Sequence, residues 1–557
     1  YPIFNYFAYL SHYLIVLFHF TGLPFLSALR AAYIAALLAS GLTAFLLARD
    51  LADDDSAGLV AAVAYVYSPY LLYTAHVRGG LPESLALAFF PLALWAVRRS
   101  LIHHEGTKAQ SDIKSHFQKL SALSASLRLT LLSPYMLITA LAIAGVVTSH
   151  AGMTIQYLPL LGLFGLYVLI ARKIEAGDWK NAKAWAFGFW NLGFGFLLGL
   201  GLTAFLWLPT LADLQYVQFQ AAFARAGLVY RENLLSLYEL FAYPRVPVHI
   251  DVLNPPLVRS LSFPAIGLAV LGLIRLRSTT AVARANYLFV FALFAVTTLL
   301  VLDVSKPIWD AVGLLQRSTF PWRFLGPASL FAAVLAGAVI SNWRLVIGDW
   351  KLDVEHLSLF IVSLLIAYSL PFLFIPREPA PENPTRADLA RFEIPPLLVG
   401  TTTTGEYTPI WVKEFPDTRA MQDELLAGRD PERLDAPGAT VEHLSARPAH
   451  DTYRITSPQP ITATYRSFYF PGWAATLDGQ PIKISITDPN GLMSLDIPAG
   501  EHTLEIRFGS TPVRMAAGWI SVVSLVVGIG LLVMSNRRLE IRRFAWTPRA
   551  AAGSLPF

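Results

Sequence analysis

Apolar residues run along this chain in long unbroken blocks, not in the 3.6- or 2-residue alternation of a half-exposed helix or strand. A hydrocarbon core about 30 Å thick takes about 20 helical residues to cross. Eleven blocks predict membrane-spanning helices, at 25–48, 57–76, 82–97, 134–150, 155–171, 185–208, 262–276, 285–303, 324–342, 357–375 and 515–534. The 82–97 block is short and carries Pro91, which predicts a kink or an incomplete crossing. Residues 5–20 are apolar and aromatic, with His12 and His19 among them, and read as a juxtamembrane helix lying on the outer surface within a 1–24 outer segment.

One long stretch breaks the pattern. Residues 376–514 are polar, opening with a Pro-rich linker region over 376–437. From 438 to 514 short alternating runs separated by Asp478-Gly479, Asn490-Gly491 and Ala499-Gly500 predict an antiparallel β-sandwich. Leu504, Ile506 and Phe508 should share one face, and Ile482–Ile486 should be a single alternating strand. Tyr469, Phe470 and Trp473 are expected as exposed aromatics, or alternatively as packing.

Composition agrees with a lipid-embedded chain: 55% hydrophobic, 15% charged, mean hydropathy +0.50, against about 25% charged in soluble proteins. No cysteine is present, which excludes disulfides, iron–sulfur clusters and c-type haem attachment. The net charge of +5 is not gathered into one patch, so no nucleic-acid partner is expected. Lys and Arg collect at 98–133, 172–184, 275–284 and in the 535–557 tail (Arg537, Arg538, Arg542, Arg543), placing these segments and the C-terminus in the cytoplasm and the β-domain outside. Residue 1 is Tyr, and the opening shows neither a basic n-region nor a cleavage site, so an upstream segment is expected.

Candidate chemistry sits where polar residues meet the outer ends of spans. His76-Val77-Arg78-Gly79-Gly80-Leu81-Pro82-Glu83 offers Arg78 for a phosphate and Glu83 as base or metal ligand, though Pro82 and Glu83 also suit a helix start. Gln316–Arg323 puts Arg317 and Arg323 beside Phe320 and Trp322, either a phosphate site or an interfacial anchor. His150 reads as an acid–base group or a helix cap, and Arg30 as a cavity or headgroup residue. Asp213, Glu232, Glu239, His249, Asp251, Asp303 and Asp310 read as loop residues, and Asp53-Asp54-Asp55 as a helix start in preference to a metal site. No phosphate-binding glycine loop, dinucleotide fingerprint or hydrolase motif occurs, so no nucleotide cofactor is expected; a divalent metal is left open.

Five strings carry a resemblance: YPIFNYFAYLSHYLIVLFHFTGL, TAHVRGGLPESLALAFFPLALW, FPWRFL, FYFPGWAATLDGQPI and IPAGEHTLEIRF. The first three resemble the bacterial multi-pass proteins called 6-pyruvoyl-tetrahydropterin-synthase-related membrane domains. The last two resemble the extracytoplasmic β-domain of YfhO-like proteins. Both groups are similar to GT-C glycosyltransferases. The resemblance implies a bacterial inner-membrane enzyme moving a sugar from a polyprenyl-phosphate donor to an extracytoplasmic glycan or lipid acceptor, with Arg78, Arg317, Arg323 and Arg30 on the lipid phosphate. It also implies a catalytic carboxylate on a first outer loop. Residues 1–24 contain no Asp or Glu, so that carboxylate is unassigned, and Glu83 and His150 are the nearest candidates. A non-catalytic scaffold or accessory subunit of a membrane complex, or a transporter of lipid-linked sugars, stays open beside the enzyme.

Overall fold

The computed structural model describes residues 6–7, 9–102, 134–177, 179–225, 227, 229–241, 259–275, 280–340, 345–347, 350–352, 354–373, 380–393 and 405–536. It is a helical bundle followed by a β-sandwich and a last helix. The Lys-rich 103–133 segment, His249, Asp251, the linker stretches 376–379 and 394–404, and the basic tail from Arg537 lie outside the described residues.

Each apolar block is helical where described, but the helices differ in length from even crossings. Six are long and apolar enough to cross a membrane: Phe25–Ala52, Leu81–Ile102, Ala151–Glu175, Ala184–Leu202 within Ala182–Leu202, Ala281–Leu299 and the start of Pro512–Asn536. A seventh crossing arises if Asp55–Val66 and Pro69–His76, bent by 48°, count as one. Pro134–Ser149, Phe263–Arg275 and Val354–Ser369 are shorter apolar helices. The expected 324–342 span is the 14-residue helix Leu325–Ala338. Every residue from Leu325 to Gly337 is buried, so this helix is apolar all round because other helices surround it.

Of the two outcomes expected at Pro91, a kink or an incomplete crossing, the second is not found. Pro91 is buried inside the continuous Leu81–Ile102 helix, about 33 Å long at 1.5 Å per residue. The chain breaks instead at Tyr67-Ser68, where Pro69 opens a new helix, and at Thr203, which ends one helix and caps the next. Asp54 caps the Asp55–Val66 helix by accepting from the Ser56 and Ala57 N–H groups at 2.7 and 3.1 Å, Asp53 takes a left-handed turn at φ 52°, and Asp55 pairs with Arg49. The acidic triplet thus builds a helix start.

Helix ends gather at two opposite rims. At one, Arg98 and Arg99 both hold Asp50, at 2.8 and 2.5 Å. At the other, Arg30 pairs with Glu382 at 2.8 Å, Gln156 donates to Ser318 at 2.7 Å, and the linker docks through a Val217–Pro409 bridge. The linker region is therefore partly folded, with helices Arg386–Glu393 and Arg419–Leu426. Tyr9–Phe20, 12 residues long, spans about 18 Å and packs Leu10, Leu14 and Phe18 on Ala32, Ala36 and Leu85. The last helix leaves Trp519, Val523, Val526 and Val533 exposed, with only 6% of its apolar window buried. Such a surface needs lipid.

A small hairpin, β1 (Leu345–Ile347) with β2 (Trp350–Leu352), precedes the sandwich. The sandwich strands are β3 (Leu434–Asp435), β4 (Thr440–Arg447), β5 (His450–Ser457), β6 (Ile461–Phe468), β7 (Trp473–Leu477), β8 (Gln480–Ile482), β9 (Ser485–Ile486), β10 (Leu492–Ile497) and β11 (Gly500–Phe508). They form a sheet β4-β5-β11-β7-β8 facing a sheet β3-β6-β10-β9, every pair antiparallel. Asp478-Gly479, at φ 51° and 79°, makes the two-residue turn between Leu477 and Gln480, the form that right-handed strand twist favours. Leu504 and Ile506 are fully buried and Phe508 partly so. Residues 482–486 are not one strand: the chain leaves one sheet after Ile482 and enters the other at Ser485, and Ile486 is exposed. A short apolar alternation cannot distinguish a strand from a crossover.

Of the two readings of Tyr469, Phe470 and Trp473, packing is the one the structure shows. Phe470 is fully buried with Tyr6 and Val217, Tyr469 meets Trp411 edge-on, and Trp473 packs on Tyr465 and Phe508. Beneath them Arg514, at the start of the last helix, holds the buried Asp213 at 2.8 Å and donates to the Pro471 carbonyl at 3.0 Å. Removing one member of a buried ion pair typically costs about 3–5 kcal/mol. Arg514→Ala is therefore expected to loosen the sandwich from the bundle, read as faster protease cleavage within 405–412 while the wild type resists; equal cleavage rates would refute this role.

At the β7–β8 turn His502 Nδ1 lies 2.7 Å from Asp478 Oδ2. The hydrogen bond raises the His502 pKa and lowers that of Asp478. The stability linked to His502 is present below its unfolded value of about 6.5 and is lost as pH rises through its folded value. The part linked to Asp478 is lost as pH falls through its own lowered value. NMR titration should show His502 above the ordinary histidine value, returning toward it in Asp478→Asn; no change in that variant would contradict the pairing.

Candidate anion site at the rim of the bundle

Four helix ends converge on one buried carboxylate. Glu83, in the first turn of Leu81–Ile102, has a side chain only 3% exposed. Its Oε2 accepts from Arg78 Nη1 at 2.5 Å and its Oε1 from Arg323 Nε at 2.9 Å. The Tyr70 hydroxyl lies 3.5 Å from Oε2, and His150 Nε2 lies 3.6 Å from Oε1.

Local sequence explains each position. After Pro69–His76 the chain reverses through Gly79 at φ 62°, a conformation glycine takes without penalty. The Arg78 and Gly80 N–H groups bond back to the Tyr73 and Thr74 carbonyls at 3.0 and 2.8 Å, which aims Arg78 at the next helix. His150 is the one residue between Pro134–Ser149 and Ala151–Glu175. Its Nδ1 accepts from the Met153 N–H at 3.2 Å, so in the neutral ring the proton sits on Nε2, facing Glu83. Both of its sequence readings, cap and polar site residue, describe one side chain. Gly152 leaves room for Arg323: a Cβ there would lie 2.8 Å from Nη1. Arg323 itself stands on the Pro321–Phe324 turn that leads into the buried Leu325–Ala338 helix.

The guanidiniums surround one indole. Arg78, Arg323 and Arg259 lie 4.6, 5.6 and 5.7 Å from the Trp322 ring centroid, within cation–π range. Burial opposes the charge of Arg78, but the Glu83 carboxylate outweighs it and its pKa is raised. Burial lowers the pKa of Arg259, against the favourable field of Glu239. Three guanidiniums thus meet one fully engaged carboxylate, which leaves positive charge to spare for an anion. Nearby buried polar atoms lack hydrogen-bond partners, including Trp322 Nε1, Arg259 Nε, Tyr157 Oη and Gln156 Oε1.

Of the sequence candidates, Arg78, Glu83, His150 and Arg323 come together, although 240 positions separate Glu83 from Arg323. Arg30 does not join them, because Glu382 holds it and Ser27 donates to the same carboxylate at 2.9 Å. Arg317 is exposed and outside the cluster, since Ser318 turns inward to Gln156. Glu239 caps its own helix through Ser236, and Asp310 is held by Tyr230 and Arg231. Among the described residues, no group of three or more His, Asp or Glu is placed to hold a metal ion. Arg259 was missed; its signal, an arginine just before an apolar block, is the one Arg323 gives. No protein-family model, curated protein or solved structure matches this chain.

Proposed function

We propose that this protein is a membrane glycosyltransferase of GT-C type, with the Arg78–Arg323–Arg259 cluster holding the phosphate of a polyprenyl-phosphate sugar donor. The supporting observation is the excess of guanidinium charge around Trp322, at the rim where the linker and sandwich also attach. In this reading that rim faces away from the cytoplasm, and the prenyl tail lies along the apolar helices. As the sugar departs, negative charge grows on the phosphate oxygen, and fixed guanidiniums stabilise that charge without reorganising. Glu83 orders the two arginines, because each of its oxygens already accepts from one of them. The acceptor would be deprotonated by a group outside this cluster.

Binding tests the phosphate assignment. Polyprenyl phosphate titrated into the protein in nanodiscs should change tryptophan emission, and Arg323→Ala should weaken binding about tenfold or more, a loss of about 1.4 kcal/mol or greater. Undiminished binding in Arg323→Ala would remove the phosphate from this site. An accessory, non-catalytic membrane subunit is the second reading, favoured by the engagement of the cluster's carboxylate by two arginines.

A further inference from the structure

The sandwich holds an acidic side chain where its pattern calls for an apolar one. In β5 the inward positions are Asp451, Tyr453, Ile455 and Ser457. Asp451 is fully buried. Its Oδ2 accepts from the Tyr465 hydroxyl at 2.6 Å and from Arg433 Nη1 at 3.2 Å, with the Tyr453 hydroxyl at 3.5 Å. Its Oδ1 has no hydrogen-bond partner, and His443 Nε2 stands 3.5 Å away. A buried carboxylate with an oxygen unsatisfied costs stability, so this arrangement calls for a reason beyond packing.

Directly outside lies a hollow of about 340 Å³ lined by Arg386, Asp430, Glu432, Arg433, His443 and Tyr453, among others. Its wall is a flat stack: the His443 and Tyr453 rings lie 4.5 Å apart and within 16° of parallel. The register of β4 against β5 shifts between His443 and Ser445, which bends the strand beside the hollow. Arg433 and His443 are tied to Asp451 from behind, yet their side chains are 55% and 41% exposed. Asp451 therefore acts as a positioning residue for a guanidinium donor, Arg433, and an imidazole, His443, both half-exposed.

We infer that this hollow is a binding site for a neutral sugar, one or two rings in size. Its volume is at the small end for ligand sites. Two arginines are offset by Asp430, Glu432 and Asp451, so neither a phosphate nor a cation finds a strong field. A sugar ring matches what remains. Its hydroxyls accept from Arg433 and donate to Glu432 and to His443 Nδ1, since His443 Nε2 faces Asp451, and its C–H face lies on the His443 ring, whose other side stacks on the buried Tyr453. The site is separate from the cluster at Glu83 and stands whether or not the transferase reading holds.

The test uses the full-length protein in nanodiscs and saturation-transfer NMR. The probes are maltose, lactose and N,N′-diacetylchitobiose, with inorganic phosphate and ethylammonium as charged controls. At least one sugar should bind at millimolar concentration, and His443→Ala should weaken it about tenfold while thermal stability stays unchanged. Asp451→Asn should weaken the same sugar, with sheet content by circular dichroism intact. If Asp451→Asn fails to fold, the half-exposed His443 decides alone. The inference is overturned if no sugar binds, if sugar binding ignores His443→Ala, or if only phosphate or ethylammonium binds in a His443-dependent way.

Discussion

Glu83→Ala should be among the most damaging single substitutions in this protein, destabilising it by about 3–5 kcal/mol. The carboxylate is buried and answers two guanidiniums, Arg78 and Arg323, whose side chains are 19% and 11% exposed. Deleting it leaves like charges facing each other across the rim, with Arg259 also nearby. Glu83→Gln keeps the volume and an acceptor but not the charge, so its cost should be smaller. Arg78→Ala should cost less than Glu83→Ala, because Arg323 and His150 still face the carboxylate. Thermal denaturation followed by tryptophan fluorescence in detergent should give that order. A Glu83→Ala protein as stable as wild type would show that the cluster is not a structural keystone.

The second large effect is steric and lies deep in the bundle. Gly337, near the end of the buried Leu325–Ala338 helix, faces Asp55–Val66 so closely that a Cβ would sit 2.3 Å from the Ala57 carbonyl oxygen. Backbone cannot yield as a flexible side chain does, and overpacking costs about 1–3 kcal/mol or more. Between helices in lipid, small residues permit the close approach that holds them together. Gly337→Ala should therefore destabilise, and Gly337→Val more so. Gly193 supplies the contrast, since nothing lies within 4 Å of its would-be Cβ. Gly193→Ala should be neutral or stabilising, by up to about 1 kcal/mol from helix propensity. Equal melting temperatures for Gly337→Ala and Gly193→Ala would refute the packing argument.

What could be read from the chain follows from the range of each interaction. The helical bundle and the sandwich were legible because apolar block length and strand alternation are local patterns. Crossing number was less so, because apolarity cannot separate a lipid-facing helix from a buried one such as Leu325–Ala338. Pro91 did not shorten its crossing: in a buried helix neighbouring segments accommodate it. Arg78, Glu83, His150 and Arg323 stood out individually as polar residues at block ends. Their shared ion pairs did not, since they join positions up to 240 residues apart. The pairing of Arg30 was not legible, because its partner, Glu382, sits in a linker that reads as unstructured. Asp451 was invisible in sequence, where it is one acidic residue in a polar strand.

The central claim, that the arginine cluster serves sugar transfer from a lipid phosphate, is tested most directly by transfer itself. The full-length protein in liposomes would be given a radiolabelled polyprenyl-phosphate sugar donor and a membrane extract as acceptor source. Label should move from donor to acceptor with wild type, and the rate should fall by about two orders of magnitude in the Arg78→Ala, Arg323→Ala double variant, in line with losing charge stabilisation of a leaving group. Transfer that proceeds at the same rate in the double variant, or no transfer by wild type although the lipid binds, would contradict it.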